Sequence, residues 1–111
     1  MTPITDALLK SMADTIVQTA DPDYVYLFGS YARGDAQQDS DLDILVVVDR
    51  QFGPDLTRLA EINRIRSQLT KFRVAKDVLV YSAEELREWK DSRNHVIGRC
   101  VREGRLLYAR A

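Results

Sequence analysis

Gly29-Ser30-Tyr31-Ala32-Arg33-Gly34, then five residues, then Ser40-Asp41-Leu42-Asp43 is the stretch that decides how this chain folds. It lies between two apolar runs. Upstream, Tyr24 to Phe28 is aromatic and branched and reads as a strand. Downstream, Leu42 to Val48 reads as a second, unusually apolar strand. Gly29 breaks the first strand, Ser30 to Arg33 forms a short helical segment running into Gly34, and Asp35 to Ser40 is a polar loop. Glycine at a strand-to-helix turn lets the backbone bend sharply and lets a ligand come close. The first helical turn offers free N–H groups and the positive end of the dipole, which suits a phosphate. The Ser30 hydroxyl adds one more donor. The dipole alone contributes about 0.3–1 kcal/mol, so several donors must converge. A purely local reading stands beside this one: Gly29 makes the turn and Ser30 caps its helix.

Asp41 and Asp43 are two apart at the start of a strand, so both point to one face. Leu42, Ile44, Val46 and Val48 point to the other face and should pack under helices. In a third strand, Ala75 to Tyr81, parity puts Asp77, Leu79 and Tyr81 on one face and Val78 and Val80 on the other. If the second and third strands are neighbours, Asp77 lies beside Asp41 and Asp43. Two unit charges about 4 Å apart repel by roughly 4 kcal/mol at an effective dielectric of about 20. Divalent cations with oxygen ligands remove that cost, and Mg²⁺ is the usual choice where substrate phosphates also bind. Two ions could clamp both oxygens of an in-line phosphoryl displacement. The bland alternative is three strand-end residues facing water.

Elsewhere, Leu8, Leu9, Met12 and Ile16 predict a helix from about Thr5 to Ala20, stopped by Asp21-Pro22-Asp23. After a turn at Gln51 to Pro54, a long helix follows the apolar positions Leu56, Leu59, Ile62, Ile65, Leu69 and Phe72. Its other face, with Arg58, Arg64, Arg66 and Lys71, reads as solvated. Ser82 and Glu85 form a capping box for a helix through Trp89. Asn94 to Glu103 is a last helix stopped by Gly104, and Leu106 to Tyr108 a short final strand. This order predicts an α/β (α+β) fold, a mixed sheet of about four strands with helices mainly on one face.

The chain has 111 residues, 16 basic and 17 acidic, with a net charge of −1. That is room for one domain, residues 1–111, with one modest core. The charge balance argues against a nucleic-acid coat or a membrane-surface patch. The longest aliphatic run, Ile44 to Val48, falls far short of the roughly 20 residues of a membrane span. Met1-Thr2-Pro3-Ile4-Thr5-Asp6 shows no secretory signal. The single Cys100 forms no internal disulfide, so a cytoplasmic setting is expected. Cys100 reads as a packing residue, the single His95 as solvated or packing, Trp89 as a core anchor or, if exposed, part of a partner interface, and Asp35 and Asp39 as solvated loop residues.

The joint pattern Gly29-Ser30-Tyr31-Ala32-Arg33-Gly34…Ser40-Asp41-Leu42-Asp43, with Asp77 in Asp77-Val78-Leu79-Val80, resembles the minimal nucleotidyltransferase (MNT) branch of the DNA polymerase beta-like nucleotidyltransferase superfamily. The closing Glu103-Gly104-Arg105-Leu106-Leu107-Tyr108 is also similar to the way these domains end. The resemblance implies the polymerase beta-like fold and transfer of AMP from ATP to a hydroxyl. It further implies that Gly29 and Ser30 hold the triphosphate. Asp41 and Asp43 would bind two Mg²⁺ ions, with Asp77 completing one metal site and helping to activate the acceptor. Arg33 matches the family arginine, near phosphates or acceptor, or else holds its loop by a surface ion pair. Ser40 is placed with the nucleotide-binding residues or orients the Asp41 loop. Stand-alone domains of this branch are commonly encoded beside a HEPN-domain RNase toxin, and the nucleotidyltransferase is its antitoxin, attaching AMP to a toxin tyrosine. Such a partner, or a dimer mate, would supply the missing acceptor half. Two alternatives are transfer to a small molecule such as an aminoglycoside with help from a second subunit, and a non-catalytic toxin-binding module.

Overall fold

The apolar positions of the first predicted helix do form one buried stripe. In the computed structural model, which describes residues 3–37 and 39–110, α1 (Asp6–Ala20) buries Leu9, Met12, Ala13, Ile16 and Ala20. The expectations that fall on Met1, Thr2, Gln38 and Ala111 (the missing secretory signal, the middle of the polar loop, the last residue of the domain) lie outside the described residues. Thr5 opens α1 by accepting the Leu8 amide on its hydroxyl at 3.1 Å. Asp21 closes it at φ 47°, a left-handed conformation that aspartate tolerates better than most side chains.

The chain continues through β1 (Tyr24–Phe28), α2 (Ser30–Arg33), β2 (Leu42–Val48), α3 (Arg58–Leu69), β3 (Lys76–Ser82), α4 (Ala83–Trp89), α5 (Val96–Glu103) and β4 (Arg105–Ala109). The long helix is shorter than its apolar spacing suggests. Thr57 caps it by accepting the Ala60 amide at 3.1 Å, which leaves Leu56 before it, and Phe72 lies past its end. The last helix begins at Val96 because His95 Nδ1 accepts the Ile97 amide at 3.1 Å.

The strands form one sheet in the order β3-β2-β1-β4. Strand β1 is antiparallel to β2 and β4, while β2 and β3 are parallel, with α3 as their crossover. One face of the sheet presents Val25, Leu27, Leu42, Ile44, Val46, Val48, Val78 and Val80 to Met12 and Ile16 of α1 and to Ile65 and Leu69 of α3. On the other face, Leu45 and Val47 meet Ala83, Leu86 and Cys100 from α4 and α5. The two long helices share one face and the two short ones rest on the opposite face. Strand β2 is therefore covered on both sides, which explains its unbroken apolar run.

Helix α3 departs from the expected division into apolar and solvated faces. Leu59 is 65% exposed, whereas Glu61 is 1% exposed. Glu61 Oε1 accepts from Arg50 at 2.8 Å and from Arg64 at 2.7 Å. Arg50 and Arg64 also donate to the carbonyls of Ala20 and Thr19 at the end of α1. Arg58 forms a bidentate pair with Glu85 and lies over the rings of Phe52 and Tyr81. Two arginines read as solvated are thus structural ties, because a long side chain can bury its stem and still reach a distant carboxylate. Trp89, expected as a core anchor, is 38% exposed and stacks on His95 at 4.7 Å between ring centres. Cys100 is buried as expected, and burial pushes its thiol up to about 12. Among the described residues no helix is long and apolar enough to cross a membrane.

Candidate active site

Strand register sets the site. Phe28 at the end of β1 pairs with Asp43 on β2, and Asp43 pairs with Asp77 on β3. Gly29, Asp43 and Asp77 therefore stand in a row across three adjacent strand ends. Asp43 and Asp77 share the parity of Leu45 and Leu79, whose side chains belong to the α4–α5 face. Asp41 lies one residue before β2 with the same parity, and it is exposed, as is Asp77.

The like charges of Asp77 and Asp41 both act on Asp43. The Asp43 carboxyl is held above its ordinary range, first by loss of hydration, then by the charge of Asp77 and then by that of Asp41. The Arg33 guanidinium pulls in the opposite direction. Among the described residues, no three His, Cys, Asp or Glu side chains close round one point as a complete metal cage. An open cluster of like-charged oxygen donors still fits Mg²⁺, which takes one or two carboxylates and completes its shell with phosphate oxygens and water.

Gly29 is required twice over. Its φ of 74° with ψ −155° is a conformation that side-chain-bearing residues avoid. A Cβ at this position would also run into the Asp43 carboxylate. Gly29 itself occupies the cap position of α2, and Ser30 is the first helical residue, so Ser30 is not the cap. The amides of Ala32 and Arg33 both donate to the Gly29 carbonyl at 3.1 Å. The earlier amides, of Ser30 and Tyr31, precede these bonds, as the first amides of a helix do.

Arg33 forms the surface ion pair of one of its readings. Its Nε donates to Asp35 at 3.3 Å in an exposed pair, which contributes little to stability. It also lines a cavity of about 190 Å³ with Phe28, Gly29, Val96, Arg99 and Glu103. Ser40 accepts the Gln37 amide on its hydroxyl at 2.8 Å and returns its own amide to the Gln37 carbonyl at 3.1 Å. That bracket orients the loop leading to Asp41. Asp41 and Asp77 also line a groove of about 510 Å³ whose other wall includes Arg66, Ser67, Thr70 and Lys76.

Of the three cations here, Arg99 and Lys76 carried no signal in the sequence, and Arg66 read only as part of the solvated face of its helix. Arg99 arrives through the packing of α5 beside the Gly29 turn. Arg66 and Lys76 arrive through the return of α3 into β3.

A family model described as polymerase beta, nucleotidyltransferase matches residues 10–111. A protein of Methanocaldococcus jannaschii named a candidate protein adenylyltransferase is 36% identical over 87 residues, covering 76% of this chain and 76% of that protein. Among solved structures, a candidate nucleotidyltransferase from Sulfolobus solfataricus superposes with a TM-score of 0.63 at 23% identity, covering 95% of this chain and 80% of that one. A Shewanella oneidensis complex of an MNT antitoxin with a tri-AMPylated HEPN toxin contains a chain that superposes with a TM-score of 0.52 at 20% identity, covering 96% of this chain and 74% of that one. At those identities the two solved structures speak for the fold.

Proposed function

The chain belongs to the polymerase beta nucleotidyltransferase family, and from that premise we propose that it moves AMP from ATP to a tyrosine hydroxyl of a cognate HEPN RNase toxin, as the antitoxin of that pair. The observation that carries this reading is the row of Gly29, Asp43 and Asp77 across three neighbouring strand ends. The relative named for protein adenylylation and the tri-AMPylated toxin in a neighbouring complex support the acceptor.

In this reading the amides of Ser30 and Tyr31 and the Ser30 hydroxyl hold the donor's phosphates, with Arg33 on the same flank. Asp41 and Asp43, with Asp77, would be the residues that hold Mg²⁺. The chemistry a bound pair of ions supplies is neutralisation of charge on both oxygens of the displacement. Asp77, on the flank away from Ser30, orients the acceptor hydroxyl and takes its proton. The acceptor oxygen bonds to the α-phosphorus, the bond from that phosphorus to the β-phosphate bridging oxygen breaks, and pyrophosphate departs past Ser30 and Arg33. Cytoplasmic ATP serves as the donor. Asp43, held above its ordinary range by lost hydration and then by the charges of Asp77 and Asp41, is a candidate functional carboxylate.

The experiment mixes the protein with ATP, Mg²⁺ and the cognate HEPN protein and weighs the partner by intact mass spectrometry. The expected result is a gain of one or more AMP groups on a tyrosine. An unmodified partner that is still neutralised would replace transfer with simple occlusion.

A further inference from the structure

The groove beside Asp41 and Asp77 carries both signs of charge, and the reaction above uses only the negative one. Its cations are Arg66 in the last turn of α3 and Lys76 at the start of β3. Lys76 Nζ donates to the carbonyls of Phe72 and Val74 at 3.0 and 2.8 Å, which fixes the ammonium at the groove. Arg66 is exposed. The other two arginines of α3 are tied to Glu85 and Glu61, but among the described residues Arg66 forms no ion pair. It is an uncommitted planar donor beside two carboxylates of the site.

The position of the groove follows from the sheet order. The donor's phosphates sit by Gly29 and Ser30, at the end of β1. In an in-line displacement the attacking oxygen enters opposite the departing pyrophosphate. The acceptor therefore enters past Asp77 on β3, the outer strand, where this groove lies. With Asp41 and Asp77 engaged by cations and by the hydroxyl proton, the charges left to meet the rest of the acceptor are Arg66 and Lys76.

We infer that the groove between the end of α3 and the start of β3 selects acceptors bearing an anionic group, carboxylate or phosphate, close to the hydroxyl that receives AMP, with Arg66 as the specificity-determining residue. The placement of the acceptor rests on the transferase reading, whereas the preference for an anion rests on the groove itself. Guanidinium suits this task because its fork meets a carboxylate or phosphate with two parallel hydrogen bonds.

The test uses the full chain and short fluorescent peptides with one tyrosine flanked by Glu, phosphoserine, Gln or Lys. Anisotropy reads binding in the presence of Mg²⁺ and a non-hydrolysable ATP analogue, and labelled ATP reads transfer. Glu or phosphoserine peptides are expected to bind and react about fivefold better than the Gln peptide, the scale of a partly exposed ion pair. The Lys peptide should be worst. The better of the two anionic peptides identifies the group. Arg66→Glu should reverse the order without changing affinity for the ATP analogue, which a purely structural role for Arg66 would not produce. Equal affinity for the Glu, Gln and Lys peptides, or an unchanged order in Arg66→Glu, overturns the inference. Transfer without any order does the same and leaves the transferase reading standing. Charge-ordered, Arg66-dependent binding with no transfer to any peptide upholds the groove, and the transferase reading then stands or falls on the HEPN-partner experiment.

Discussion

Strand β2 treats charge in opposite ways at its two ends. At its start, Asp41 and Asp43 face Asp77, and Asp43 is held above its ordinary range by lost hydration and by its like-charged neighbours. Two residues past its other end, Arg50 meets the buried Glu61, which also takes Arg64, and both arginines reach carbonyls at the end of α1. One end is a network of opposite charges, two arginines on one carboxylate, that ties α1, β2 and α3 together. The other end is an open excess of one sign. Opposite charge past the far end of β2 serves the fold, whereas like charge kept together at the start of β2 is what makes that end the candidate ligand site.

Substitutions at the two ends should therefore separate activity from stability. The largest effect is expected at the start of β2. Asp41→Asn and Asp43→Asn should each lower AMP transfer by about 10³-fold, the scale of losing a preorganised electrostatic contact in a transition state. Circular dichroism should show an intact fold in both. Unfolding of either variant would make these carboxylates structural and erase the contrast.

The next effect lies at the other end. Glu61→Gln leaves two arginines without their shared carboxylate. Both are partly exposed, so the loss should be about 2 kcal/mol, below the range for a fully buried pair. That corresponds to a fall in Tm of about 10 °C for a domain of this size. Transfer per folded molecule should be unchanged within about twofold. An unaltered Tm would mean that the network orders these elements without stabilising them.

The smallest effect sharpens the contrast most. A carboxyl that titrates higher in the folded state binds extra protons there, so wild-type stability falls as pH rises from the ordinary aspartate value through the raised one. Asp43→Asn removes that penalty. Without Mg²⁺ at neutral pH the variant should melt slightly higher than wild type, a partly hydrated group giving a modest shift. The gain should vanish on acidification below the ordinary aspartate range. A variant less stable than wild type at neutral pH would show that Asp43 is held by favourable contacts.

Much of the fold was legible in the sequence because its boundaries are chemically abrupt. Asp21-Pro22, Gly29 and Gly34 punctuate α1, β1 and α2 at the expected places, and the Ser82–Glu85 box opens α4 as read. The motif residues at Gly29, Asp41, Asp43 and Asp77 were also legible, since spacing of two along a strand dictates a shared face. The errors fall where long side chains reach across the fold. Arg58 and Arg64 read as solvated because Glu85 and the Val80 and Thr19 carbonyls sit on other elements, and Glu61, three residues before Arg64, was not expected to be buried. Leu59 read as apolar face, but the inward stripe of α3 runs through Glu61, Ile65 and Leu69, with the arginines covering the polar member.

By itself the sequence determined the elements, the parity of the strands and the residue types at the site, because these depend on local backbone preference and on side-chain alternation. Only the tertiary structure decided that β2 lies between β1 and β3, so that Gly29 presses on Asp43 and Asp77 stands at its side. Only it brought Arg99 to one flank of that row and Arg66 and Lys76 to the other. The physical reason is that charge and close approach act through space. Residues far apart in the chain become neighbours only when the packing of apolar faces has chosen which strands and helices lie together.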